Sequence, residues 1–236
     1  MKREKEEKFI REILNSLAGK LEGFYMVGGT ALSLFYFKHR FSFDIDFFTP
    51  NFDFKKIEKL ISYLKGRFSL EILQKIDEKD KARVIVYEVG YRSLKTKVDF
   101  VEDFFELLKP INIVNGIPVA SLEDIYLRKI YAVCGFSKEE DIAGKSRIVG
   151  GREEAKDFFD LYFLSSTFLP LSEFVNLYPN KVIKENLIIW FRTYDRFKIK
   201  SGLADLKTNH EIDYSLMEKH FKKEIEKIIE REVDFI

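Results

Sequence analysis

The sequence predicts an α/β (α+β) protein, with a strand-bearing core over residues 1–118 followed by a mostly helical domain over 119–236. Three observations predict it. A short apolar run, Phe24 to Val27, is followed by Gly28-Gly29-Thr30 and a second apolar run, Ala31 to Phe37, which is the signature of a strand turning into a helix. Three strand-like runs, Ser69 to Ile76, Ala82 to Val89 and Leu94 to Val101, are separated only by turn-forming residues, so a β-meander is expected. Beyond residue 118 the apolar spacing becomes three- and four-residue almost throughout.

Taken in order, residues 3–19 fit an amphipathic helix through Phe9, Ile10, Ile13, Leu14 and Leu17, ended by Gly19 or Gly23. The strand to Val27, the glycine turn and a helix to about Lys38 follow. Phe43-Asp44-Ile45-Asp46-Phe47 alternates as a strand and breaks at Thr49-Pro50-Asn51. A helix over 53–65 has Asp53 as its N-cap and buries Phe54, Ile57, Leu60, Ile61 and Leu64. After the meander, Ile111 to Val114 and Ile117 to Ala120 flank Asn115-Gly116, a hairpin turn. Ser121 then caps a helix running to about Val133, with Asp124 at its third position. Residues 135–151 read as a polar loop without periodicity, followed by helices over 152–165, 171–177, 181–197 and 214–232.

Composition narrows the possible functions. Forty basic residues nearly balance 39 acidic ones for a net charge of +1, so any nucleic-acid surface has to be local. The 24 phenylalanines indicate an aromatic core. Cys134 is the single cysteine, which excludes an intrachain disulfide or a cysteine-based zinc site and reads as a small buried hydrophobe. The charged start MKREKEEKFIREIL and the lack of an apolar run near 18 residues predict a cytoplasmic protein that engages no membrane.

Four groups of residues carry chemistry. Glycines at a strand-to-helix turn let backbone amides approach an anion at the positive end of a helix, and Thr30 adds a hydroxyl; the alternative is a purely structural turn. In the strand Phe43–Phe47 both aspartates leave on one face, with α-carbons roughly 6.5–7 Å apart. Two carboxylates among phenylalanines are costly to bury unless a cation compensates, and magnesium suits them; otherwise this is an exposed edge strand. Asp99, alternating with Val98 and Phe100 and sharing a face with Lys97, supplies a third ligand and a general base if its strand lies beside Asp44 and Asp46. Lys129 and Asp157, the latter three residues before Asp160, lie on two helices and form either a phosphate-directed ion pair or a structural salt bridge.

These pieces together form a recognisable series: GGTAL, then His39-Arg40-Phe41-Ser42-Phe43-Asp44-Ile45-Asp46-Phe47-Phe48, then Glu123-Asp124 with Lys129, then Lys156-Asp157-Phe158-Phe159-Asp160-Leu161. The series resembles the AbiEii/AbiGii toxin family, the nucleotidyltransferase-like half of type IV toxin–antitoxin and abortive-infection systems. The resemblance covers about residues 24–165 and implies a polymerase-β-like nucleotidyltransferase core with a mixed sheet. It further implies that Gly28, Gly29 and Thr30 hold the triphosphate and that Asp44 and Asp46 bind magnesium; Arg40 and Ser42 are further nucleotide-binding candidates, Arg40 being otherwise one half of a surface ion pair with a nearby acid. Lys129 then touches phosphate, and Asp157 belongs to the last motif. Many nucleotidyltransferases carry Gly-Ser where this chain has Gly29-Thr30, and the 135–151 stretch is long for the pattern.

The expected reaction moves a nucleoside monophosphate from an NTP to a hydroxyl, with two magnesium ions on Asp44, Asp46 and Asp99. The resemblance suggests RNA, tRNA included, as acceptor and a cognate antitoxin as partner. Lys181, Lys184, Arg192, Arg196, Lys198 and Lys200 offer a local basic surface for it. Nucleotidylation of a protein or small molecule, and a non-catalytic nucleotide binder, are the alternatives.

Overall fold

The computed structural model describes residues 2–78, 81–135, 137–140, 146–149, 151–178 and 180–233, the two segments between 137 and 149 by their backbone alone. The chain forms two compact units, Met1–Ile125 and Tyr126–Ile236.

The first unit is built on a mixed sheet of seven strands: β1 (Tyr25–Val27), β2 (Ile45–Thr49), β3 (Ser69–Ile76), β4 (Val84–Tyr91), β5 (Leu94–Glu102), β6 (Asn112–Val114) and β7 (Ile117–Val119). Their order is β3-β4-β5-β2-β1-β7-β6. The expected meander is present as antiparallel β3-β4-β5, whereas β5 and β2 pair in parallel and β2 with β1 antiparallel. Asn115 and Gly116 both take positive φ (51° and 76°), the geometry of a tight hairpin turn between β6 and β7. One sheet face is aromatic and closed: Met26, Ile45, Phe47, Val98 and Phe100 are wholly buried, and Phe100 sits 5.5 Å from both Phe24 and Phe47. Helix α1 (Lys2–Leu17) meets β5, burying the five apolar residues its periodicity singled out.

Several elements differ from expectation for identifiable reasons. After β1 a single α-turn, α2 (Gly28–Ala31), passes at once into a π-helix, Leu32–Phe37, which closes on Lys38 in the left-handed region (φ 52°). A 3.6-residue apolar pattern cannot distinguish the wider turn. Helix α3 (Phe54–Ser62) is shorter than 53–65, although Asp53 caps it as expected by accepting from the Lys55 amide at 2.8 Å. Helix α4 (Leu122–Cys134) begins with the predicted reciprocal cap: Ser121 Oγ accepts from the Asp124 amide at 3.0 Å and donates to Asp124 Oδ2 at 2.7 Å.

In the second unit the supposed loop 135–151 contains an antiparallel pair, β8 (Ser137–Glu140) with β9 (Ser146–Val149). Neither SKEE nor SRIV alternates polar with apolar, so nothing in the pattern announced strands. Residues 136, 141–145 and 150 of that stretch lie outside the described ones. Helix α5 (Ala155–Phe163) runs into a second π-helical segment, Leu164–Phe168. Helix α6 (Leu171–Leu177) follows, and the helix expected over 181–197 is two: α7 (Lys181–Thr193) and α8 (Arg196–Ala204). Asp195 separates them by accepting from the Lys198 amide at 2.9 Å, an N-cap inside the apolar period. The last helix is α9 (Tyr214–Val233). Phe158 is the hub of this core, with ring centroids of Phe221, Tyr194 and Trp190 at 4.9, 5.6 and 6.0 Å. At Gly202 an added Cβ would fall 2.8 Å from the Ala155 Cβ, so α8 and α5 are in backbone-close contact. Cys134 is buried, and burial pushes its thiol up to about 12, in keeping with an inert small hydrophobe.

Candidate functional site

The strand register decides which acidic side chains meet. Asp46 on β2 lies opposite Val27 on β1 and opposite Asp99 on β5. Opposed residues of paired strands point to the same face, so Asp46 and Asp99 stand side by side, away from the phenylalanine face. Asp44 precedes Asp46 by two residues and by alternation belongs to that face. Asp46 and Asp99 are half-buried and Asp44 is exposed. The adjacency on which Asp99's expected role depended is thus present.

Gly28 brings the glycine turn to the same place. It takes φ +77°, and a Cβ built on it would lie 2.3 Å from Asp46 Oδ2. Only glycine lets the first residue of α2 sit against that carboxylate without strain. Gly29 and Thr30 follow in the first turn, both buried. The Thr30 hydroxyl donates to the Asp44 carbonyl and shares a 2.9 Å hydrogen bond with Ser42. From the closed side of the sheet Thr96 donates to the Phe43 carbonyl, and Ser33 donates to the Arg40 carbonyl. Three hydroxyls therefore fix the backbone of 40–44, which carries Asp44 beyond the end of β2. Arg40 is itself buried and donates from Nη1 to the Phe41 carbonyl at 3.2 Å. Thr96 and Ser33 were not singled out from the sequence; alternation along β5 puts Thr96 with Val98 and Phe100, where a lone hydroxyl is a detectable anomaly.

The donors fit a hard divalent cation in kind, since all are carboxylate oxygens on one partly solvated face, and Gly28 itself places no side chain against Asp46. Among the described residues no three histidine, cysteine or acidic side chains are gathered into a ready-made metal cluster.

In the second unit Lys129 is almost fully buried, with Nζ 2.6 Å from Asp157 Oδ1 and 2.7 Å from Asp160 Oδ2. Arg152, which the sequence reading passed over, adds a 2.5 Å contact from Nε to Asp157 Oδ2. Burial pushes the Asp157 carboxyl up, but Lys129 and Arg152 outweigh it and hold the group below the ordinary aspartate range. Two cations balance two carboxylates in this set, of which Lys129, Asp157 and Asp160 are buried and Arg152 is exposed.

Residues 12–235 match the family model described as nucleotidyl transferase AbiEii toxin, type IV TA system. Among solved structures, JHP933 from Helicobacter pylori is similar with a TM-score of 0.60 and 19% identity, over 96% of this chain and 94% of that one. A second H. pylori structure, described as a candidate nucleotidyltransferase, aligns with a TM-score of 0.59 and 20% identity over 96% of each chain. At these identities the likeness concerns the fold. No curated protein matches the sequence.

Proposed function

Because the chain belongs to the AbiEii nucleotidyltransferase toxin family of type IV toxin–antitoxin systems, and so is a nucleotidyltransferase with a nucleotide substrate and an antitoxin partner, we propose that it transfers an NMP from an NTP to a hydroxyl of RNA, tRNA included. The observation that carries this reading is the register pair Asp46–Asp99 with Gly28 seated against Asp46.

In this mechanism the amides of Gly28, Gly29 and Thr30 bind the β- and γ-phosphates, with Arg40 and Ser42 as further contacts on the triphosphate. Asp44 and Asp46 would hold two magnesium ions, with Asp99 as a third ligand, and such ions when bound polarise the acceptor hydroxyl and offset charge on pyrophosphate. Asp99 takes the hydroxyl proton. The new bond joins the acceptor oxygen to the α-phosphorus; the bond from that phosphorus to the α,β-bridging oxygen breaks, and pyrophosphate leaves with the electron pair. Thr30 on the Asp44 carbonyl and Thr96 on the Phe43 carbonyl hold this backbone still, so that the carboxylates need little reorganisation. Lys129, which the family motif assigns to phosphate, is proposed to offset charge on the leaving group.

The test is incubation of the purified chain with each α-labelled NTP, total RNA and Mg²⁺. Labelled RNA, abolished by EDTA and by Asp46→Ala, is the expected result. Label on protein or on a small molecule replaces the acceptor. NTP binding without label of any kind refutes catalysis.

A further inference from the structure

The acidic face carries a fourth charged group, and the reaction above leaves it idle. Lys97 precedes Asp99 by two residues, so both side chains leave β5 on the same side. β2 runs parallel to β5 with Asp46 opposite Asp99, and Asp44 precedes Asp46 by the same two residues. Continuing the parallel register sets Lys97 at the level of Asp44. On that register the α-carbons of the three acids and of Lys97 mark a rectangle about 4.8 Å across the strands and roughly 6.5–7 Å along them.

Lys97 is exposed, and among the described residues no carboxylate pairs with it. Glu88, its register partner on β4, is held by Lys95 instead. A cation set among three acids and bonded to none remains available to an anionic ligand. The sheet order says which ligand. β2 lies between β1 and β5, so the glycine turn flanks the acids on one side and Lys97 flanks them on the other. In phosphoryl transfer the attacking and leaving oxygens lie in line on opposite sides of phosphorus. With the β- and γ-phosphates at Gly28–Thr30, the acceptor comes from the β5 side.

We propose that Lys97 is an acceptor-binding residue, pairing with a backbone phosphate next to the reacting hydroxyl. It thereby selects a polynucleotide end over an uncharged hydroxyl compound. The inference rests on the function proposed above and adds a specific group that recognises the acceptor.

The test compares wild type, Lys97→Ala, Lys97→Arg and Lys97→Glu as full-length protein, with unfractionated tRNA as acceptor and the best-used NTP. The expected result is a rise of about tenfold in KM for tRNA in Lys97→Ala, and more in Lys97→Glu, recovered in Lys97→Arg. KM for the NTP should stay within twofold. The dependence of log KM for tRNA on log salt should become shallower by about 0.7–0.9, as for one lost phosphate contact. Unchanged tRNA KM in Lys97→Ala overturns the inference, as does a change confined to NTP KM. So does a shifted pH–rate profile at constant tRNA KM, which would make Lys97 a tuner of the neighbouring carboxylates. If wild type labels no tRNA, the RNA reading and this inference fall together. If it labels tRNA and Lys97→Ala does so equally, only the inference falls. Matching thermal melts establish that the variants are folded.

Discussion

At the residue scale the site turns on a contact that tolerates no side chain. Gly28 combines a positive φ with an approach to Asp46 that an added methyl would occupy. Gly28→Ala therefore costs twice: about 1 kcal/mol for an L-residue in the left-handed region, and a displacement of the Asp46 carboxylate or of the turn itself. We expect Gly28→Ala to lower kcat/KM for transfer at least 100-fold while lowering Tm by only a few degrees, measured by labelled-NTP turnover and calorimetry. A variant with wild-type turnover would dissociate the glycine turn from the acids. Asp46→Ala makes the complementary case. It removes a charge beside Asp99, so in metal-free buffer the melting temperature should stay level or rise, and in Mg²⁺ the transfer should vanish. A large fall in stability without metal would mark Asp46 as structural.

At the scale of elements, α4 and α5 are tied through a buried cluster whose stability follows pH. The Asp157 carboxyl is held below its ordinary range, so its contribution is present above the unfolded pKa, about 3.9, and is lost as pH falls through the lower folded value. Accordingly Asp157→Asn should be less stable than wild type at neutral pH, with the difference narrowing below about pH 4 in circular-dichroism melts. Lys129→Met removes the shared cation and leaves two buried carboxylates, a loss of about 3–5 kcal/mol at neutral pH that should shrink in acid. A difference that widened in acid would contradict the assignment. This cluster also illustrates what was legible in the sequence. Lys129 and Asp157 were visible as charges on apolar helices, since a lone cation in such a stripe has to find an anion. Arg152 was not, because it precedes the first residue of α5 and has no periodic context. Asp46 was legible because strand alternation is a local property, whereas β2 begins one residue after Asp44 and does not include it. That Asp99 stands beside Asp46 was not legible, because β2 and β5 are far apart in sequence and pair in parallel. Local pattern records what a strand buries and never which strand lies beside it. The π-helical segments and the β8–β9 pair were invisible for a related reason: they are settled by backbone hydrogen bonds that leave no mark on apolar spacing.

For the whole molecule the division that composition suggested near residue 118 remains a proposal about domains, whereas the two compact units part within α4, between Ile125 and Tyr126. Among the described residues no helix is long and apolar enough to cross a membrane. The charge balance bears on how a member of a toxin family acts. With 40 basic and 39 acidic residues the chain has no bulk field with which to sequester RNA, so growth inhibition by stoichiometric binding is disfavoured on electrostatic grounds. On the reaction proposed above, inhibition comes from turnover, in which one chain modifies many acceptors. Induced expression of the wild-type chain without its antitoxin should therefore arrest growth, while Asp46→Asn at equal protein level should not. Total RNA recovered from the arrested culture should carry nucleotides that RNA from the Asp46→Asn culture lacks. Arrest that persisted with Asp46→Asn, at matched expression, would mean that toxicity arises from binding alone and would detach the acidic face of β2 and β5 from the biology of the family.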